Sequence, residues 1–277
     1  MKIAILGAGN MGSAIACGLV RSGKFQAEEI VCTARTEATL ERLRTQCPGV
    51  RTTTDNAAAV RDAAVVMLAV KPWLTEALIR EIRREIDPDR QSVVSVAAGV
   101  SLAQLAEWMT ADSAVRPALF RVIPNTAIAV RQSMTFVAAR GADEACTERV
   151  LGIFRELGEA MLVDEPMLET GMILASCGIA FALRYVRASV EGGVELGCPA
   201  GQATHIVAAT LRGAAELLLQ RGEHPETEID RVTTPGGITV RGLNEMEQAG
   251  FSAAVIRGFS GEHKNPSGTD WGNAFQT

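Results

Sequence analysis

The sequence has 277 residues, of which 47% are hydrophobic and 21% charged, and its formal net charge is −5. Typical domains contain roughly 100–200 residues, so this length predicts two domains, each with a substantial core. The acidic balance and an aromatic content of 4% argue against nucleic acid and anionic membrane surfaces as partners.

The cysteines are widely spaced, and no C-x-x-C pair occurs. They are Cys17, Cys32, Cys47, Cys146, Cys177 and Cys198. This spacing predicts no metal site and no disulfide framework, and it indicates reduced thiols in a cytoplasmic protein.

No continuous hydrophobic segment in the sequence is typical of a membrane span. The longest largely apolar run, residues 172–183, has 12 residues, whereas a helix needs about 20 to cross a bilayer. Glycines interrupt the apolar N-terminus, so it does not resemble a signal peptide. We therefore expect no membrane segment.

The N-terminal half alternates short apolar runs with helical patterns. Strands are predicted at residues 2–6, 30–33, 64–70, 93–97, 119–123, 134–138 and 160–163, and helices at 11–22, 37–46 and 143–157. Residues 64–70 are almost continuously apolar, as in a parallel strand that is buried on both faces. The alternation predicts an α/β domain over residues 1–164, with a Rossmann-type, doubly wound parallel sheet.

Helical patterns alone follow residue 164. Helices are predicted at residues 167–196, 200–221, 238–249 and 253–261. These predict an all-helical second domain over residues 165–277. Its first helix is rich in Ala, Gly and Ser, which suits close helix packing, including packing between subunits.

A G-x-G-x-x-G motif follows the first predicted strand and opens the first helix. It consists of Gly7, Ala8, Gly9, Asn10, Met11 and Gly12. In dinucleotide-binding domains the first glycine makes a tight turn, the second lets the backbone approach pyrophosphate, and the third allows close helix packing. The motif in this context predicts a dinucleotide site.

The end of the second predicted strand distinguishes NAD from NADP in such domains. An acid there binds the ribose 2′-hydroxyl, but this sequence has Thr33-Ala34-Arg35-Thr36. A guanidinium flanked by hydroxyls suits a 2′-phosphate. We therefore expect NADPH, with NADH as the alternative.

Two further segments follow predicted strands, at the sheet edge where ligands bind. They are Ala69, Val70, Lys71 and Pro72 after one strand, and Ala97, Ala98 and Gly99 after the next. Their small residues would let a nicotinamide ribose come close to the backbone.

A hydroxyl-rich turn precedes a predicted helix in the C-terminal region. Residues 233–239 read Thr-Thr-Pro-Gly-Gly-Ile-Thr. Backbone N–H groups at the helix start, with the hydroxyls of Thr234 and Thr239, could hold a small carboxylate. A plain helix cap explains the same pattern, and the residues alone leave both interpretations open.

Residues 232–247 (VTTPGGITVRGLNEME) resemble the signature of the pyrroline-5-carboxylate reductase family. Residues 7–12, 69–72, 97–99, 124–126 and 223–225 are similar to further motifs of that family, in the same order. The resemblance implies a Rossmann domain followed by a helical dimerisation domain. It also implies reduction of a small cyclic imino acid by NAD(P)H to L-proline, the last step of proline biosynthesis, in a homodimer or higher homo-oligomer.

The resemblance implies roles for individual residues as well. Cofactor binding is implied for residues 7–12, Thr36, Asn56, 69–72 and 97–99, and substrate carboxylate binding for Thr234, Gly237, Ile238 and Thr239. Thr239 and Ser176 are the candidate catalytic residues, each offering a hydroxyl near the imine.

One segment departs from the family pattern. The family usually has Ser-Gly-Ser-Gly-Pro-Ala-Tyr where residues 175–181 here read Ala-Ser-Cys-Gly-Ile-Ala-Phe. This difference keeps a reductase of a larger cyclic imine as an alternative. A 3-hydroxyacid dehydrogenase would need a general base, typically a lysine on the interdomain helix, and residues 167–196 contain no lysine. An NAD(P)-binding sensor is the remaining alternative, although it would not need the hydroxyl-rich turn.

Overall fold

The computed structural model describes residues 1–110 and 116–261. These residues belong to two compact units, the first of which contains Met1–Ser176 while the second begins at Cys177. The division follows residue 176, later in the chain than the predicted boundary at residue 164. Residues 262–277 of the predicted second domain lie outside the described residues.

The first unit is built on an eight-stranded sheet with the order β3-β2-β1-β4-β5-β6-β7-β8. Its strands are β1 (Ile3–Leu6), β2 (Ile30–Thr33), β3 (Arg51–Thr53), β4 (Val65–Leu68), β5 (Ser92–Ser95), β6 (Ala118–Ile123), β7 (Ser133–Arg140) and β8 (Gly158–Leu162). β1 supplies alternate residues to opposite faces, with Ile3 and Ile5 in one core and Ala4 and Leu6 in the other. The predicted Rossmann-type, doubly wound α/β fold is confirmed.

One strand pair departs from the predicted parallel sheet. β6 and β7 are antiparallel, whereas the other neighbouring strands pair in parallel. The connection between them holds only the short 3-10 helix Thr126–Val130. A parallel pair needs a crossover of about a dozen residues or more, usually an α-helix, so this short connection reverses the strand direction.

Helices cover both faces of the sheet. In the first unit they are α1 (Asn10–Ser22), α2 (Glu37–Gln46), α3 (Asn56–Arg61), α4 (Pro72–Ile82), α5 (Leu102–Thr110), α6 (Glu144–Arg155) and α7 (Met167–Gly171). Buried residues of α1, α2 and α6 form one core, and those of α3, α4, α5 and α7 form the other. A π-helical segment, Met172–Cys177, follows α7 directly.

The described part of the second unit is helical. Its helices are α8 (Gly178–Glu195), α9 (Ala200–Arg221), α10 (Pro225–Val232), α11 (Ile238–Gln248) and α12 (Phe251–Gly261). Two aromatic pairs join α8 to α12, namely Phe181 with Phe259 and Tyr185 with Phe251, with ring centroids 4.9 and 6.4 Å apart. The predicted all-helical C-terminal region is confirmed over these residues.

A continuous helical stretch runs from α7 through α8. By length and composition alone, Met167–Glu195 is long and apolar enough to cross a membrane, and most of its surface is exposed in this chain. The apolar run of residues 172–183 is shorter because it ends before Arg184, whereas the helix continues past Arg184 and Arg187. A single helix of this length and composition is weak evidence for a membrane span.

All six cysteines are thiols that form no disulfide. Three of them, Cys17, Cys32 and Cys47, are buried in the core that contains α1 and α2. Burial raises the pKa of the Cys32 thiol, and burial with the nearby Cys17 raises the pKa of Cys47 to about 12. Cys32 and Cys47 are therefore protonated at neutral pH, which makes them poor nucleophiles.

Candidate functional site

The turn between β1 and α1 requires glycine at two positions. Gly7 has a φ of +113°, and a Cβ there would lie 2.7 Å from the carbonyl oxygen of Ala69. Asn10 and Met11 begin the first turn of α1, and a Cβ on the next residue, Gly12, would lie 2.1 Å from the carbonyl oxygen of Gly7. The tight turn and the close packing expected of these glycines are both present.

The N-terminus of α1 is open to a ligand. The N-cap residue is Gly9, no side chain caps the helix, and its first turn contains no acid. A Cβ on Gly9 would meet nothing within 4 Å. The amides of Gly7 and Ala8 donate to the carbonyl of Thr33 at 3.1 and 2.7 Å, which ties the turn to β2. A helix N-terminus with this free space fits the pyrophosphate of a dinucleotide.

The end of β2 carries the residues predicted to select the cofactor. Arg35 and Thr36 are exposed, and Thr36 is the N-cap residue of α2. The hydroxyl of Thr33 donates to Oδ1 of Asn56 at 2.6 Å, and Nδ2 of Asn56 donates to both carboxylate oxygens of Glu81 at 3.1 and 3.2 Å. Sequence reasoning missed Glu81, because no motif links a helix surface acid to a residue 25 positions earlier.

The two segments after β4 and β5 lie at the same sheet edge as the glycine turn. This follows from the strand order, in which β1, β4 and β5 are neighbours. The residues are Ala69, Val70, Lys71 and Pro72 after β4, and Ala97, Ala98 and Gly99 after β5. Lys71 is exposed and is the N-cap residue of α4, while Gly99 has a φ of +79°. The structure therefore brings these predicted residues to one edge.

The hydroxyl-rich turn of the second unit leads into α11, as predicted. Gly236 has a φ of +69°, and Gly237 is the N-cap residue of α11. The amide of Gly237 donates to the carbonyl of Thr234 at 2.9 Å. Ile238 and Thr239 begin the helix and are exposed, and no described residue hydrogen-bonds the Thr239 hydroxyl. This helix N-terminus, like that of α1, has no side-chain cap and no acid in its first turn.

Ser176, the other candidate for a catalytic hydroxyl, lies near the end of the π-helical segment Met172–Cys177. It is half-buried, and no described residue hydrogen-bonds its hydroxyl. The hydroxyls of Ser176 and Thr239 are thus both available to a ligand, each within its own unit.

The chemistry of these residues suits anions. Within residues 1–110 and 116–261, no three His, Cys, Asp or Glu side chains are placed to hold a metal ion. The candidate sites instead offer backbone N–H groups, hydroxyls and a guanidinium. Such donors bind phosphate and carboxylate groups.

Comparison with known proteins assigns both parts of the chain. Residues 165–265 match the family model for pyrroline-5-carboxylate reductase dimerisation, and residues 2–99 match that for coenzyme F420-dependent NADP oxidoreductases. Pyrroline-5-carboxylate reductase 2 of Dictyostelium discoideum is 36% identical over 270 residues, covering 93% of this chain and 89% of the relative. The chain belongs to the pyrroline-5-carboxylate reductase family.

Length differs among the relatives of this family. Pyrroline-5-carboxylate reductase 1 of the same organism is 39% identical over 268 residues, and this similarity covers 92% of the chain. It covers only 47% of that relative, so the chain spans about half of its length.

Solved structures of the family share the fold. A pyrroline-5-carboxylate reductase from Coxiella burnetii superposes with a TM-score of 0.84 and 27% identity, covering 94% of this chain and 95% of that one. The reductase from Plasmodium falciparum, solved with NADP bound, gives a TM-score of 0.81 over the same shares of the chains. At 20% identity, the second likeness establishes the fold alone.

The glycines of the first turn have different expected sensitivities. Gly12→Ala should lower the free energy of unfolding by about 2 kcal/mol or more, since its Cβ meets backbone. Gly9→Ala, with open space and an ordinary φ of −74°, should change stability by less than about 0.5 kcal/mol. It should nevertheless weaken NADPH binding at least about tenfold, since the methyl group would occupy the space that fits pyrophosphate.

Urea denaturation measures the stability of these two variants, and a fluorescence titration measures their NADPH affinity. Equal stability losses in both would contradict the packing at Gly12. Undiminished affinity in Gly9→Ala would place the pyrophosphate elsewhere.

Proposed function

We propose that this protein reduces 1-pyrroline-5-carboxylate to L-proline with NADPH as the hydride donor. Membership of the reductase family supports the reaction. The proposed assignment of cofactor to one unit and substrate to the other rests on one observation. Each unit has an uncapped helix N-terminus, at α1 in the first and at α11 in the second. One would bind the anionic part of the cofactor and the other the carboxylate of the substrate.

The cofactor site is proposed to consist of residues from the first unit alone. The N-terminus of α1 would bind the pyrophosphate, and Arg35 with Thr36 the 2′-phosphate. Asn56 would contact the adenosine ribose, and its hydrogen bonds to Thr33 and Glu81 fix the orientation of its amide. Residues 69–72 and 97–99 would lie against the nicotinamide half.

The substrate site is proposed at the start of α11. The first backbone N–H groups of the helix and the hydroxyls of Thr234 and Thr239 would hold the carboxylate. Glycine at position 237 would leave room for the carboxylate beside the Thr234 hydroxyl, because a Cβ there would lie 2.6 Å from that hydroxyl oxygen. Ile238, whose side chain is 87% exposed, would contribute an apolar contact to the ring.

The proposed reaction requires little acid–base catalysis by the residues of the chain. A protonated cyclic imine is already an electrophile, and the bound nicotinamide supplies the hydride when it is present. The residues therefore act by orienting the two reactants and by balancing their charges. Ser176 would offer a hydroxyl near the imine nitrogen.

Homo-oligomerisation follows from the match of residues 165–265 to the dimerisation family. We propose a homodimer or a larger homo-oligomer in the cytoplasm, in which a second copy covers the apolar surface of the second unit. That surface includes Leu196 and Leu219, which are 90% and 78% exposed in the single chain. Its burial against protein would also account for the exposed apolar helix without a membrane.

The direct test mixes purified protein with 1-pyrroline-5-carboxylate and follows nicotinamide absorbance. Oxidation of NADPH faster than of NADH is expected. If NADPH binds but neither cofactor is oxidised, the proposed substrate is wrong, and larger cyclic imines become the next substrates to test.

Arg35→Ala should raise the KM for NADPH by about tenfold or more, because a charge-assisted hydrogen bond to the 2′-phosphate is lost. The KM for NADH should not change. Arg42→Ala is the matched control, because it removes an exposed arginine that lies within α2 and not at the end of β2. An unchanged KM for NADPH in Arg35→Ala would remove Arg35 from the cofactor site.

Thr239→Ala should lower kcat/KM for the imine more than tenfold, which corresponds to more than about 1.4 kcal/mol. Thr239→Ser keeps the hydroxyl and should retain most of the activity. NADPH affinity should stay the same in both variants, since the proposed cofactor residues belong to the other unit. Full activity in Thr239→Ala would exclude the residue from the substrate site.

A further inference from the structure

The segment that precedes the second unit is attached to the rest of the first unit at three places. Glu165 accepts a hydrogen bond from the amide of Leu102 at 2.7 Å and forms an ion pair with Arg121 at 3.3 Å. Gly171 lies against the ring of Phe136, so closely that a Cβ there would be 2.7 Å from the ring. The third attachment is to the π-helical segment Met172–Cys177.

That third attachment is made by Asn125, which is 6% exposed and follows β6. Its Nδ2 donates to the carbonyl oxygen of Ala175 at 3.2 Å, and its Oδ1 accepts from the amide of Ala127 at 3.0 Å. Its own amide donates to the hydroxyl of Ser133 at 3.1 Å. The side chain of Asn125 therefore caps the 3-10 helix Thr126–Val130 with its Oδ1 and hydrogen-bonds the π-helical segment with its Nδ2.

A π turn has a direct geometric consequence for the residues after it. It holds one more residue than the corresponding α-helical turn, and such turns are rare and often lie at functional sites. Each residue of an α-helix advances about 100° around the axis and about 1.5 Å along it. If the π turn relaxed to α geometry, Ser176, which lies near its end, would point in a different direction.

We propose that Asn125 is a positioning residue of the reductase, which fixes the π turn and thereby the direction of the Ser176 hydroxyl. The proposal rests on the reductase activity proposed above. Asn125 acts through Ala175, the residue immediately before Ser176, and its amide N–H is used for this hydrogen bond. A small displacement of a group that orients substrate can reduce the rate by about 100-fold, so the effect should appear in kcat.

Asn125→Ser is the principal test variant. Serine is a favourable N-cap residue and keeps an oxygen for the amide of Ala127, but it is too short to reach Ala175. Asn125→Asp is the second variant, because it keeps the length and the capping oxygen while losing the donor. Ser133→Ala is the control, since it removes a neighbouring hydrogen bond of the same turn and leaves the contact with Ala175 in place.

The full-length protein is assayed with 1-pyrroline-5-carboxylate and NADPH, and hydrogen–deuterium exchange is measured over residues 172–181. For Asn125→Ser we expect kcat to fall about tenfold or more, NADPH affinity to stay within about twofold, and exchange in this segment to increase. Asn125→Asp should behave in the same way. Ser133→Ala should keep kcat within about twofold and leave the exchange of the segment unchanged.

The proposal is overturned if Asn125→Ser keeps its kcat, or if exchange over residues 172–181 does not rise. An equal loss of NADPH affinity and kcat would also overturn it, because Asn125 would then be a cofactor contact. If the wild-type protein does not oxidise NADPH with this imine, the proposed function fails instead. The exchange data then decide by themselves whether Asn125 holds the π turn.

Discussion

The proposed cofactor site depends on the close approach of α1 to the turn that follows β1. The Cα of Gly12 faces the carbonyl of Gly7 so closely that a Cβ would lie 2.1 Å from that oxygen. Only glycine permits this approach, and it places the uncapped N-terminus of α1 at the edge shared by β1, β4 and β5. Segments that are far apart in the sequence thereby reach the same edge of the sheet, where the uncapped helix N-terminus suits a pyrophosphate.

Much of the fold was predictable because buried elements have strong hydrophobic patterns. The bounds of β2, α2 and α9 were predicted to the residue. β3 was missed because it has only three residues, Arg-Thr-Thr, and no apolar run. The helix α10 was missed because it is mostly polar and also lacks an apolar run. The direction of β7 is not visible in its pattern either, since buried strands look alike whether parallel or antiparallel to their neighbours.

The positions of the candidate site residues were predictable where a motif fixes the backbone, but the contacts that side chains make across the fold were not. The glycine turn, the segments after β4 and β5, and the turn before α11 all have local signatures, and the structure places them as expected. The hydrogen bonds from Asn56 to Glu81 and from Asn125 to Ala175 join residues 25 and 50 positions apart. No local signature indicates such pairs, because they arise only when β-strands and helices have packed together.

The most direct test of the proposed reaction follows the hydride itself. The protein would be incubated with 1-pyrroline-5-carboxylate and NADPH deuterated at both positions of the nicotinamide C4, and the product analysed by mass spectrometry. Direct transfer predicts proline with one deuterium on the former imine carbon. Unlabelled proline, or no proline despite bound NADPH, would contradict the claim that this chain brings the cofactor and the imine together for hydride transfer.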